Sequence, residues 1–355
     1  MSGQPADVPR TVVDFDILTT WMDAQGLGSG PITDVAPILG GSQNVLLRFQ
    51  RAGREYVLRR GPEHLRPASN NVIRREMRLL AALDGTGVRA PGFIAGCPDE
   101  TVMGGAVFYL MEPVDGYSVN LGLQEDQRTP EAVRELALDV VRASAELGRV
   151  DHAAVGLSDY GKPEGFLERQ VPRWLSELRG YSDLPGYPGP AIPGVDAVAA
   201  WLDAHRPATG RPGIIHGDYH FGNVMFRRDR PGVAAVVDWE MSTIGDPLLD
   251  FGWILAMWPG TLNTPAVTPP NGPSVVQVGG LPSRDEVITE YAKHSDRDLS
   301  NATWYEVLAC FKQGIVLEGS HARAFAGLAP KEIGDRLHTT TMALFEKARK
   351  LIGIA

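Results

Sequence analysis

The sequence predicts an α+β protein of two lobes, a small antiparallel β-sheet lobe carrying a helix and then a larger, mainly helical lobe. Three observations carry this reading. The chain has 355 residues, more than one hydrophobic core usually holds. Strand and helix signals alternate at its beginning, whereas beyond the break "PVDGY" the apolar spacing turns helical. The boundary falls near residue 114, giving lobes of 1–113 and 114–355.

The elements follow in order. "DFDILTTWMDAQGL" has helical apolar spacing at Phe15, Leu18, Trp21 and Met22 and ends at a glycine. "NVLLRFQ" and "REYVLRR" are rich in β formers and flank a short turn with Gly53, the pattern of a hairpin. "NNVIRREMRLLAAL" returns to helical periodicity, with Val72, Ile73, Met77, Leu80 and Leu83 on one broad face. "AVFYLME" is another compact strand. In the second lobe, Thr129 is placed as an N-cap with Pro130 at the first helical position of a long apolar stripe. Further helices are expected around Trp174, around Trp201 and from Ser283 to the carboxyl end. The strands expected here are "NVMF" and "VAAVVD", a hairpin around "RRDRPG". The Pro- and Gly-rich stretch 259–282 reads as a long surface excursion or lid.

Composition narrows the function. With 43% hydrophobic and 22% charged residues this is an ordinary globular chain. A net charge of −9 argues against nucleic acid as a partner, because phosphate neutralisation needs clustered Lys and Arg. The run "FGWILAMW" is far too short to span a bilayer, and "MSGQPADVPR" lacks the apolar core of a signal peptide. Cys97 and Cys310 form no CxxC pair, so the expected setting is the reduced cytoplasm, with no membrane partner.

The chemistry is concentrated in "PGIIHGDYHFGNVMF". Asp218 and Asn223 sit in a loop, and Asp238 ends the apolar run "VAAVVD" downstream. Singly, such residues form turns; together, two carboxylates and an amide are a natural oxygen-ligand set for Mg²⁺. The set leaves Asp218 to accept a proton from an attacking hydroxyl. His220 reads either as a substrate contact or as a solvent-facing turn residue. A rival reading takes His216, Asp218 and His220 as a transition-metal hydrolase site. Zinc sites need three or four convergent ligands, and the other histidines offer no companion pair at ligand spacing.

"HGDYHFGN" resembles the H-x-D-x-x-x-x-N catalytic loop of the aminoglycoside phosphotransferase and choline kinase group. "VVDWEMSTIGDPLLDFGW" resembles that group's metal-binding segment. The resemblance implies the protein-kinase-like bilobal fold, Asp218 as catalytic base, His216 as loop support, and Asn223 and Asp238 as Mg²⁺ ligands. It also implies a structural place for Asp246 and Asp250, with Asp250 hydrogen-bonding the catalytic-loop backbone. A member of this group must grip ATP or GTP from the small lobe as well. Gly40, Gly41 and Ser42 in "ILGGSQN" allow close backbone approach to phosphates, though a GG pair is also a common turn. Arg59 stands where protein kinases carry lysine, and its charge and fork geometry suit phosphate oxygens. Arg60 is the alternative, since strand alternation turns only one of the two inward. Glu76, on the following helix, is the candidate partner of Arg59. Met111 to Val114, with Glu112 and Val114 as the polar backbone positions, resembles a hinge for the nucleobase edge, although Met111 also suits plain core.

"GLSDYGKPEGFLERQVPRW" and "WYEVLACFKQGIVLEG" are similar to segments of the kinase-like domain fused to some acyl-CoA dehydrogenases, a subgroup that also carries the "VLR" strand end. The expected activity is Mg²⁺-dependent transfer of the γ-phosphate of ATP or GTP to a small-molecule hydroxyl. The subgroup points to a metabolic hydroxyl compound, such as an acyl derivative, rather than an antibiotic. The competing class is a catalytically silent nucleotide-binding pseudokinase.

Overall fold

A computed structural model describes residues 12–38, 44–208, 210–262, 264 and 268–354. The chain divides into two compact units: residues up to Asp115 with 155–157 and 234–240, and residues 116–154, 158–233 and 241–355.

The first unit opens with helix α1 (Phe15–Ala24), whose N-cap Asp14 accepts from the Asp16 and Ile17 amides. Strands β1 (Thr33–Pro37), β2 (Val45–Arg51) and β3 (Arg54–Arg60) follow, then helix α2 (Ser69–Leu83), strand β4 (Phe93–Cys97) and strand β5 (Phe108–Met111). The sheet order is β1-β2-β3-β5-β4, and every neighbouring pair is antiparallel. The β2–β3 turn is Ala52-Gly53, with φ of 50° and 76°. Two consecutive left-handed residues match the twist of the flanking strands, which is why a glycine stands here. Leu18 and Met22 of α1 pack with Leu47, Phe49, Leu58, Phe108 and Leu110 into the core of this unit. Strand β3 is central, and this decides the fate of its charged end. Both Arg59 and Arg60 are buried, on opposite faces, where alternation had led us to expect one inward and one exposed. Arg60 donates through Nη1 to the Val12 carbonyl.

The second unit contains β6 (Tyr117–Ser118), α3 (Pro130–Arg149), α4 (Gln170–Gly180), α5 (Val195–Ala204), β7 (Gly213–Ile215) and β8 (Val224–Phe226). After β9 (Val233–Val236), of which all but Val233 is counted with the first unit, come β10 (Thr243–Gly245), α6 (Leu248–Ala256), α7 (Val275–Val278), α8 (Arg284–His294), α9 (Ala302–Phe325) and α10 (Lys331–Leu351). Thr129 caps α3 through Ala132 N, with Pro130 in the first turn, and Ser283 starts α8 in a capping box with Glu286. The turn after β8 closes through Arg227 N–H to the Gly232 carbonyl, 2.9 Å. Strands β7 and β10 pair antiparallel, as do β6 and β8. β6, β7 and β10 were not expected, because two or three residues carry no readable period.

The 259–282 stretch is not simply an excursion. It contains α7, and Leu123 N–H reaches the Pro273 carbonyl at 3.0 Å while Asn271 N–H reaches the Leu121 carbonyl at 2.8 Å. Trp258 also donates to the Pro282 carbonyl at 3.0 Å. Among the described residues, no helix is long and apolar enough to cross a membrane.

Helix α6 is buried along its whole length, apolar except for Asp250, and packs against α9. The approach is close at Gly252, where a Cβ would lie 2.3 Å from the Tyr305 carbonyl oxygen. Backbone cannot yield as a side chain would, so Gly252→Ala is expected to cost about 1–3 kcal/mol in urea denaturation. A variant as stable as the wild type would contradict this packing.

Candidate active site

The residues singled out in the sequence fall into two groups, one in each unit. In the second unit, β7 delivers the chain into the loop His216–His220, and a 3₁₀ turn at Phe221–Asn223 returns it into β8. Gly217 takes φ of 89°, and a Cβ there would sit 2.4 Å from the Met241 carbonyl oxygen, so this position requires glycine. The backbone is gripped from α6. Asp250, 2% exposed, accepts from His216 N–H at 2.6 Å and Gly217 N–H at 2.9 Å. On the carbonyl side, Lys312 of α9 donates through Nζ to Gly217 O at 2.7 Å. The Lys312 ammonium lies 4.2 Å from the centre of the Trp253 ring, a cation–π contact, with Trp174 at 5.5 Å.

This grip presents Asp218. Its Oδ2 accepts from Asn223 Nδ2 at 2.9 Å, and the same amide reaches the Asp218 carbonyl at 2.9 Å. His220 stands 3.4 Å from Oδ1 through Nε2. His220 is also the cap of the 3₁₀ turn, because its Nδ1 accepts from Gly222 N–H at 3.0 Å. An accepting Nδ1 puts the proton of the neutral ring on Nε2, the nitrogen facing Asp218. His216 is fully buried, accepts Asp218 N–H through Nδ1 at 3.3 Å and meets the Tyr219 ring edge-on. Both histidines therefore spend Nδ1 on the loop backbone, which is work a hydrolytic metal site would have to undo.

The charges explain one another. Burial pushes Asp218 upward, but the His220 hydrogen bond and the fields of His220, His216 and Lys312 outweigh it, holding the carboxyl at about 2. Burial raises Asp250 to about 7 against its two N–H donors and Lys312. Burial lowers Lys312 to about 8 against the pull of Asp250 and Asp218. Asp246 lies apart from this cluster: it caps α6 through Leu248 N–H and accepts from Tyr305 Oη at 2.7 Å.

In the first unit, Arg59 forks onto Glu76, Nε to Oε2 and Nη2 to Oε1, both 2.8 Å. Nη2 also reaches Asp238 Oδ1 at 2.9 Å. Asp238 is a non-glycine residue at φ of 67°, an uncommon conformation that concentrates at functional sites. Glu76 is 1% exposed and pairs with Arg59, as its place on the following helix led us to expect. Burial pushes its carboxyl up against the pull of Arg59, while Tyr109, opposite Arg59 on β5, is pushed up by burial and by Glu76. The Glu112 amide donates to the Gly92 carbonyl at 2.8 Å. Met111 is buried. Gly40, Gly41 and Ser42 lie outside the described residues.

One residue of the loop's support, Lys312, escaped sequence reasoning. Lys312 is a single cation inside "ACFKQGIV", and a cation in a run that is apolar on every face was the signal available. His220 was left open between substrate contact and turn, and the structure gives it the turn and the carboxylate together.

Comparison with known proteins places the chain in a family. The model of the phosphotransferase enzyme family matches residues 34–268, and the chain belongs to that family. Its fold is the α+β protein-kinase-like one of the aminoglycoside phosphotransferases. A Ralstonia eutropha protein, provisionally described as an aminoglycoside phosphotransferase, is 28% identical with a TM-score of 0.74, covering 95% of this chain and 99% of that one. The GDP complex of aminoglycoside 2'-phosphotransferase-IIIa shares the fold at 13% identity and a TM-score of 0.58, over 95% and 99% of the two chains. Among curated proteins, mouse acyl-CoA dehydrogenase family member 10 is 27% identical over 87% of this chain and 28% of its own length. Human family member 11 is 28% identical over 82% and 36%. The chain thus spans only about a third of the length of these two relatives.

Two predictions follow from the charges. Because Asp250 must be ionised and Lys312 protonated to hold Gly217, kcat/KM should rise with pH toward about 7 and fall above about 8. Lys312→Met should lower the rate and remove the alkaline limb; an unchanged limb would assign it to another group. Glu76→Ala leaves the Arg59 guanidinium buried without its main partner, so urea unfolding should show a loss of about 3–5 kcal/mol. A loss below about 1 kcal/mol would mean the pair behaves as a surface ion pair.

Proposed function

We propose that this chain is a magnesium-dependent small-molecule kinase, moving the γ-phosphate of ATP or GTP to a hydroxyl. The observation that carries the reading is Asp218, an ionised carboxylate held in place by Asn223, His220 and a loop backbone clamped on both sides. Asp218 takes the hydroxyl proton as the oxygen attacks the γ-phosphorus and the bond to the β-phosphate oxygen breaks.

Asn223 and Asp238 would hold the magnesium. The donor chemistry fits a hard cation: with Nδ2 given to Asp218, Asn223 offers its carbonyl oxygen, and Asp238 is 43% exposed in its side chain. Bound there, magnesium would neutralise charge on the transferring phosphates. Arg59, fixed by Glu76, keeps Nη1 for phosphate oxygens. The Glu112 carbonyl and Val114 amide would meet the nucleobase edge, and the Gly40-Gly41-Ser42 loop would cover the phosphates. Solved relatives of this fold bind GDP, or AMP-PNP with hygromycin B, which supports a nucleotide and a small polar acceptor as partners. The acyl-CoA dehydrogenase relatives favour a hydroxylated acyl compound as the acceptor over an aminoglycoside.

One observation favours a second reading, a nucleotide-binding module without turnover. Arg59 already occupies an oxygen of Asp238, the proposed metal ligand. Magnesium-dependent thermal stabilisation by nucleotide without consumption of ATP on any hydroxylated compound would support that reading.

The test of the first is Asp218→Asn, assayed by ATP consumption across hydroxyacyl compounds and aminoglycosides. Turnover should fall by about 10²–10⁴-fold while nucleotide still raises the melting temperature. Wild-type turnover in the variant would remove Asp218 as the base.

A further inference from the structure

A second cluster of ionisable groups lies away from the catalytic loop, where the end of α9 meets the start of α10. Glu318 and His321 are one helical turn apart on α9, and Asp335 and His338 repeat the spacing on α10. In each helix this interval puts a carboxylate and an imidazole on the same face. One ligand atom each from Glu318, His321 and His338 lies within 4.8 Å of the others. In this arrangement the two imidazoles stack, with centroids 4.3 Å apart and planes at 21°, so sharing one ion requires one ring to turn out of the stack.

The hydrogen bonding leaves this cluster incomplete. His338 Nδ1 shares a proton with Glu318 Oε2 at 2.7 Å. His321 Nδ1 is buried and has no hydrogen-bond partner among the described residues. Asp335 Oδ1 stands 3.6 Å from it, too far for a hydrogen bond. That separation suits two ligands of one ion, since adjacent donors around a tetrahedral zinc lie about 3.3–3.5 Å apart. The Glu318 carboxylate is also held from behind, because Tyr187 Oη donates to its other oxygen at 2.6 Å. Burial and Glu318 push the Tyr187 hydroxyl well up, so it remains a donor. A ligand carboxylate oriented by a second hydrogen bond is the usual construction of metal sites.

We infer that Glu318, His321 and His338, with Asp335 as fourth ligand, form a zinc site that staples α9 to α10. Two imidazoles and two carboxylates are a borderline donor set that suits Zn²⁺ rather than Mg²⁺ or Ca²⁺. Asp335 reaches the ion by giving up Lys331, an exposed pair that holds it weakly. Zinc takes the place of the proton between His338 and Glu318, which leaves to solvent, so affinity falls as pH drops. The site is independent of the phosphotransfer reading, since it shares no residue with the catalytic loop.

The test uses the full chain without a polyhistidine tag, titrated with Co²⁺ as a spectroscopic stand-in and with Zn²⁺ in competition. One ion per chain is expected, with the intense visible absorption of four-coordinate cobalt, displaced by zinc and lost in both His321→Ala and His338→Ala. Tyr187→Phe keeps every ligand and should weaken binding by about 10–100-fold. Should an alanine variant not fold, histidine ring ¹⁵N shifts in the wild type answer the same question. Zinc must move His321 and His338. Absence of binding, survival of the cobalt spectrum in both alanine variants, or shifts confined to His216 and His220 would overturn the inference.

Discussion

The loop His216–His220 depends on one buried carboxylate. Asp250 accepts two successive backbone N–H groups, His216 and Gly217, from inside the helical unit. Buried backbone donors must be paired, and a buried carboxylate is tolerated only when donors converge on it; here each requirement meets the other. Lys312 completes the arrangement from the carbonyl side of Gly217, so one peptide segment is gripped at both N–H and C=O. Asp218 follows immediately, and its aim is inherited from that grip. Gly252 lets α6 lie against α9, which brings the carriers of Asp250 and Lys312 together.

The β-sheet unit solves a similar problem with a different cation. Its buried charge is guanidinium, and the choice has consequences. A planar fork can satisfy Glu76 with two bonds and still turn one proton toward Asp238, whereas an ammonium is a compact point charge. Arg59 is thereby a bridge between the helix α2 carboxylate and the carboxylate of Asp238, a residue with positive φ. Buried ion pairs of this sort are weak sources of stability and strong penalties when broken. Their value here is in fixing which rotamer each partner adopts.

What was legible in the sequence divides along physical lines. Asp218 and Asn223 could be singled out because loop chemistry at a fixed spacing is local, whereas Asp250, on α6, was placed against the loop backbone by the family resemblance. The β2–β3 hairpin and α2 could be read because their periods are long enough to measure. Strands β7 and β10, three residues each, are held by tertiary pairing and leave no period. Arg60 was misjudged because alternation assumes one wet face, and a central strand such as β3 has none. For Lys312 the sequence offers only a lone cation in an apolar run: helix position says that a residue is inside, not which backbone oxygen it will find. The Glu318–His338 cluster needs two helices to meet, which no single stretch of sequence states.

The family and the fold are those of phosphotransferases, and the proposed transfer to a hydroxyl with Asp218 as base is the claim most directly exposed to measurement. The reaction of the intact chain with Mg²⁺-ATP and a mixture of hydroxyacyl compounds can be followed by ³¹P NMR. The account predicts a phosphomonoester resonance growing in step with ADP. ADP accompanied only by inorganic phosphate, or no consumption of ATP with any hydroxyl compound supplied, would contradict it.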